Sequence, residues 1–265
     1  MKEGIAGKAV YRKDYQAYPW DVEHLDLHFD IARETTVVRA SMTMRHKADV
    51  SQNRDIVLNG SELELLSIKL NGSDLSAEDY ELAGEDLIIF SAPEVSEIET
   101  EVRIHPAANS AFEGLYQSGD FLLTQCEAQG FRKITWFPDR PDVMTTYKVT
   151  LDADKAEFPV LLSNGNLTGS GESADGRHWA CWQDPFPKPS YLFALVAGDL
   201  SFVEDHFTTR SGRDVTLKIY VETENIDRCD HAMTSLINAM RWDEERFGLE
   251  YDLDRSEEHT SELQS

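Results

Sequence analysis

Alternation of apolar and polar side chains, two residues to the period, runs through most of this 265-residue chain and limits what it can fold into. Leu25, Leu27, Phe29 and Ile31 alternate with His24, Asp26, His28 and Asp30. Successive side chains of a strand point to opposite faces, so this pattern is that of a strand buried on one side only. Val38, Ala40, Met42 and Met44 repeat it, as do Leu66, Ile68 and Leu70 ahead of an Asn71-Gly72 turn signal. Ile98, Val102 and Ile104 follow, and later Tyr147, Val149 and Leu151. Short strands at this spacing, with no helical run between them, predict a mainly β fold, an antiparallel β-sandwich, over about residues 1–199.

The pattern changes after Gly198. A last strand is expected over Val215 to Val221, followed by Met233, Leu236, Ile237 and Met240 at i, i+3, i+4 and i+7. That spacing places one apolar stripe on a helix near 228–247, with Asp227 as its cap and Gly248 as its stop. A single strand and helix cannot enclose a core, so 200–254 reads as the start of a second, mixed domain that the chain does not complete. The stripe is expected to lack the surface it packs on. Residues 255–265, Arg-Ser-Glu-Glu-His-Thr-Ser-Glu-Leu-Gln-Ser, match the in-frame translation of a sequencing adapter. They are read as an artefact outside the fold and expected to be mobile.

Composition narrows the function. A formal charge of −24 repels phosphate backbones and anionic lipid, so neither nucleic acid nor membrane is an expected partner, whereas cationic ligands are favoured. The adapter-like tail carries one Arg and three Glu, so the acidic balance survives without it. The three cysteines, Cys126, Cys181 and Cys229, are scattered and odd in number, which is no disulfide framework. With no signal-like or membrane-spanning run, a cytoplasmic setting is expected.

Motifs for chemistry are scarce. His24 and His28 have the spacing of a helical zinc pair, but on a strand they stand about 13 Å apart and cannot share an ion. The chain holds no HExxH and no GxSxG. Cys126 has no base near it in sequence. The segment 111–142 stands out instead, dense in aromatics, charges and prolines, and reads as a functional or structural loop with a buried-looking Glu127.

That segment carries a resemblance. Gly114-Leu115-Tyr116, Gln125-Cys126-Glu127-Ala128, Arg132 and Pro138-Asp139-Arg140-Pro141-Asp142 are similar to the amino-terminal signature of the zinc aminopeptidase N family. Leu162-Ser163-Asn164-Gly165-Asn166, Trp182-Gln183-Asp184-Pro185-Phe186-Pro187-Lys188-Pro189 and Tyr191-Leu192-Phe193-Ala194-Leu195-Val196-Ala197-Gly198 extend it. Trp242-Asp243-Glu244-Glu245-Arg246-Phe247-Gly248-Leu249 resembles the bacterial branch, and the likeness covers about residues 8–254. The resemblance implies a saddle-like amino-terminal β domain followed by the beginning of an α+β, thermolysin-like catalytic domain. It implies a parent enzyme that uses Zn2+ to release amino-terminal residues from peptides. By the same resemblance Glu127 binds the free α-ammonium of the substrate and Gln125 lines the pocket for its first side chain. No catalytic residue and no metal ligand is assigned within the chain, which is expected to bind no zinc and to be inactive alone. The alternative is a non-enzymatic acidic β-sandwich that binds a partner.

Overall fold

The computed structural model describes residues 11–173 and 175–259. Strands β1 (Trp20–Ile31) and β2 (Thr36–His46) form a long antiparallel pair. Next come β3 (Ile56–Asn59), β4 (Glu64–Leu70) and β5 (Ser73–Asp74), then β6 (Tyr80–Ala83), β7 (Asp86–Ile89) and β8 (Val95–Ile104). The hairpin strands β9 (Gly114–Ser118) and β10 (Phe121–Gln125) follow, then β11 (Thr145–Asp154), β12 (Val160–Ser163) and β13 (Asn166–Glu172). β14 (Arg177–Lys188), β15 (Leu195–Gly198), β16 (Ser201–Thr208) and β17 (Asp214–Val221) precede the helix α1 (Asp230–Phe247) and a closing strand β18 (Arg255–His259).

Eight strands make the main sheet, in the order β13-β14-β11-β1-β2-β8-β4-β5. Its pairs are antiparallel except β1 with β11, which run parallel in register Leu25 to Tyr147 and Phe29 to Leu151. The smaller sheet β12-β15-β10-β9 and the ribbon β3-β7-β6 share an apolar interior with it. Leu25, Leu27, Phe29 and Ile31 all point into that interior, as the alternation requires, and so do Val38, Ala40, Met42 and Met44. The mainly β, sandwich-like reading therefore stands. One apolar position departs from its expected face. Leu66 is exposed because a bulge between Leu65 and Ser67 shifts the phase of β4, leaving Ile68 buried. Asn71 and Gly72 form the two-residue turn joining β4 to β5, both with positive φ, the geometry that makes Asn-Gly a hairpin signal.

A second apolar cluster gathers Phe207, Val215, Leu217, Ile219 and Val221 with Met233 and Met240 of α1. The helix stripe is therefore partly covered, contrary to expectation: Met233 and Met240 are buried against the inward side chains of β17, with Phe207 of β16 beside them, while Leu236 and Ile237 are half-buried. Trp242 and Phe247, towards the end of the helix, stay exposed and pack edge to face at 5.1 Å. The helix starts later than expected. A 3-10 segment, Thr223–Arg228, contains Asp227, Cys229 is the cap position, and no side chain caps it. Gly248 ends it in the left-handed conformation, φ 70°, as expected.

The tail also departs from expectation over its described part. Arg255–His259 pairs in parallel with β17, because an open strand edge offers unpaired N–H and C=O groups to whatever chain reaches it. The fit is poor. The Glu257 side chain is 8% exposed, and neither carboxylate oxygen has a hydrogen-bond partner although Arg255 Nη1 lies 3.3 Å away. Burial raises the Glu257 carboxyl above its ordinary range. A carboxyl with a raised folded-state pKa costs nothing below its unfolded pKa of about 4.3 and destabilises as pH climbs through the folded value. Glu257→Val should therefore stabilise this chain at pH 7 by roughly 1–3 kcal/mol, the cost of an unsatisfied buried polar group. Denaturant melts at pH 7 and pH 4 check it: the gain should shrink at the lower pH.

Candidate substrate-amine site

The β9–β10 hairpin turns at Gly119, φ 56°, and places Gln125 at the end of β10, opposite Gly114. β10 is held on its other edge by β15, through Leu122 to Ala197 and Leu123 to Val196. Beyond Gln125 the chain makes a one-turn loop, closed by the Gly130 N–H donating to the Cys126 carbonyl at 2.8 Å. Gly130 sits here for lack of room. A Cβ would lie 2.3 Å from the Gln125 carbonyl oxygen and 2.9 Å from the Gly114 nitrogen.

Within the loop the side chains divide by environment. Cys126 points inward and is buried; burial, with the Asp139 carboxylate nearby, pushes its thiol well above the ordinary range. A thiol held protonated is no nucleophile, so Cys126 packs and does not react. Gln125, Glu127, Ala128 and Gln129 are exposed, so Glu127 is not buried as its aromatic-rich segment suggests: Cys126 and Phe131 take the inward positions on either side of it. Gln125 Nε2 donates to the Glu127 carbonyl at 3.3 Å, so the structure brings the two sequence-assigned residues together. Among the described residues, the Glu127 carboxylate makes no ion pair and no hydrogen bond. It is an anion presented to solvent on a constrained backbone, and it can accept charge-assisted hydrogen bonds from a cation.

The loop's far end is anchored twice. Phe131 is fully buried and meets Phe137 at 5.1 Å and Phe193 at 5.2 Å, both edge to face. Next to it, the Arg132 N–H and Nε donate to Asp139 Oδ2 at 3.1 and 3.2 Å. Ser190 Oγ donates to Asp139 Oδ1 at 2.6 Å, and the Asp139 N–H donates to Asn59 Oδ1 at 3.1 Å. The neighbouring acid of the same motif works at the surface. A hydrogen bond from Arg140 at 2.8 Å holds the Asp142 carboxyl down to about 2, while Tyr15 donates to its other oxygen. Sequence reading took Asp139 as part of a motif without a role and passed over Ser190. An Asp directly after the mostly apolar run Ile134–Pro138 was the available signal.

His24 and His28 lie along β1 as polar positions, and His24 Nδ1 is 2.9 Å from the Thr146 hydroxyl. Among the described residues no three His, Cys, Asp or Glu side chains converge as a metal site would require, so these residues do not fit a zinc ion.

Residues 21–192 match the model of the Peptidase M1 N-terminal domain. The chain belongs to this family. It is 52% identical over 248 residues to aminopeptidase N of Escherichia coli K12 and 49% identical over 247 residues to aminopeptidase N of Caulobacter vibrioides. Each alignment covers 93% of this chain but 28% of the relative, so the M1 chain described here spans a little over a quarter of those proteins' length. The solved structure of Legionella pneumophila aminopeptidase A in complex with aspartic acid superposes with a TM-score of 0.89 at 36% identity, covering 93% of this chain and 29% of that one. An M1 zinc metallopeptidase of Deinococcus radiodurans bound to a Tyr-Ser-Ala substrate gives 0.78 at 15% identity, over 93% of this chain and 58% of that one, a likeness of fold.

The packing around Gly130 makes the M1 loop intolerant of a single methyl group. Gly130→Ala should destabilise the chain by about 1–3 kcal/mol through overpacking against backbone atoms that cannot rotate away. Thermal melts together with amide shifts of residues 125–129 measure both the cost and its location.

Proposed function

We propose that this chain is the amino-terminal part of a zinc-dependent aminopeptidase that removes amino-terminal residues from peptides. In this reading residues 1–199 form the β domain, 200–254 begin the catalytic domain, and 255–265 are an adapter-derived addition. Glu127 receives the α-ammonium of the substrate and Gln125 borders the first side chain. Zn2+, whose ligands would lie elsewhere in the parent enzyme, supplies the chemistry at the scissile bond.

The observation that carries the reading is the free carboxylate of Glu127, exposed on a loop pinned at both ends. An exopeptidase must recognise a chain end, and a fixed anion does so: a terminal ammonium gains a charge-assisted bond there, while an internal amide gains none. The acidic balance of the chain, −24, suits cationic peptide termini and suits neither nucleic acid nor an anionic membrane surface. A cytoplasmic setting goes with three thiols that are all unpaired.

Glu127→Ala in the full-length enzyme tests it. With substrate and the rest of the parent enzyme covering it, Glu127 would be one partner of a buried hydrogen-bonded charge pair, and truncating one partner of such a pair typically costs about 2–5 kcal/mol. That is roughly 30- to several-thousand-fold in kcat/KM at about 1.4 kcal/mol per decade. The loss should fall on free-amine substrates, with fold and zinc content unchanged, and N-acetylated substrates should lose little from their poor starting rate. Equal losses on both, or loss of zinc, would assign Glu127 a structural part.

A further inference from the structure

We propose that Asp139 is a positioning residue for the amine anchor, its buried carboxylate fixing where the Cys126–Gly130 loop presents Glu127. The proposal rests on the reading of Glu127 given above. Asp139 is 1% exposed and lies twelve residues beyond the carboxylate it is argued to place. Its two oxygens bind different parts of the chain. Oδ2 takes the backbone N–H and the Nε of Arg132, two residues past Gly130, where the loop re-enters the core. Oδ1 takes the hydroxyl of Ser190, itself buried, in the short turn Ser190–Leu192 that leads into β15. β15 is the strand on which β10 pairs, and β10 is the strand from which the loop departs.

One carboxylate therefore ties the exit of the loop to the support of its entrance. Thr124, the residue before Gln125, adds a parallel tie: its Oγ1 accepts the Leu195 N–H at 2.8 Å. Between these fixed points only Cys126 to Gly130 remain, and Gly130 is jammed against Gln125 and Gly114. Little freedom is left to Glu127 except its own side-chain rotamers. Loss of one Asp139 oxygen as an acceptor removes a fixed point, and Asn presents an amide N–H₂ to groups that are donors themselves.

A kinetic cycle in the full-length enzyme separates positioning from plain structural support. Four proteins are compared on alanine 4-nitroanilide: the parent, Glu127→Gln, Asp139→Asn and the double variant. Misplacing a substrate-binding group by about 1 Å can cost on the order of 100-fold. Asp139→Asn should accordingly lower kcat/KM by about 10- to 100-fold when Glu127 is present, and by less than about threefold when it is already Gln, because groups that act together are non-additive. Equal loss in both backgrounds, or no loss in either, overturns the proposal. A Glu127→Gln enzyme with unchanged kcat/KM overturns the amine-anchor reading first, and the proposal with it. Should Asp139→Asn fail to fold, Ser190→Ala takes its place in the cycle. It keeps the Arg132 contacts, so a smaller loss with the same dependence on Glu127 is expected, and a background-independent effect overturns the idea.

Discussion

Closure of the main sheet and the β12-β15-β10-β9 sheet on one dry interior is the constraint from which the exposed parts of this chain take their positions. Every strand crossing that interior gives up alternate side chains to it, and the pieces between strands go where those commitments leave room. The loop carrying Glu127 illustrates the consequence. Phe131 fills a slot among Phe137, Tyr147 and Phe193, side chains drawn from three other segments. Full burial of one such ring contributes about 1.5–3 kcal/mol, which exceeds what a short exposed loop gains from anything it could do alone. The loop's conformation is thus decided by the residue that follows it.

A buried carboxylate in such an interior needs donors, since removing a charge from water costs several kcal/mol unless it is hydrogen-bonded. Asp139 has three side-chain and main-chain donors on its oxygens. Glu257 has none, though its carboxylate is about as far from solvent. The contrast between the two acids is a contrast in consistency. Around Asp139 the local sequence, the turn at Ser190 and the sheet order all supply what the charge requires. Around Glu257 the backbone pairing is satisfied and Arg255 offers its charge at 3.3 Å without a hydrogen bond, which is what pairing to an open edge gives to a strand whose side chains do not match the slot.

The same distinction explains how much could be read from the sequence. β1, β2, β8 and β11 cross the interior with one face in and one face out, so their alternation was legible. β16 was not, because of its eight residues only Phe207 is buried. A strand that rests on a neighbour's backbone and little else leaves no period to find. Leu66 misled because a bulge resets the phase without leaving a mark in the residue types. At the site, Gln125 and Glu127 could not be reached from spacing: nothing in a Gln-x-Glu run dictates an exposed loop, and only the ordered set of motifs singled it out. Asp139 was visible as a letter, but its burial depends on Ser190 and Asn59, which lie 51 and 80 residues away.

A last question is why one carboxylate should count in a chain that has 49 acidic residues. Net charge acts at long range and is screened within about 8 Å at physiological ionic strength, so it raises the local concentration of cations without choosing among them. Many of the other acids are occupied: Glu101 by Arg39, Glu64 by Arg103, Glu62 by Lys133, Asp26 by Lys148. Surface pairs of that kind contribute little to stability, but each takes up an anion that would otherwise bind a ligand weakly and in no fixed pose. Recognition of a single ammonium group calls for an anion that is both unoccupied and immobile. In the reading proposed for Glu127, exposure provides the first property, and the Phe131 and Asp139 anchors fix the backbone from which its side chain extends.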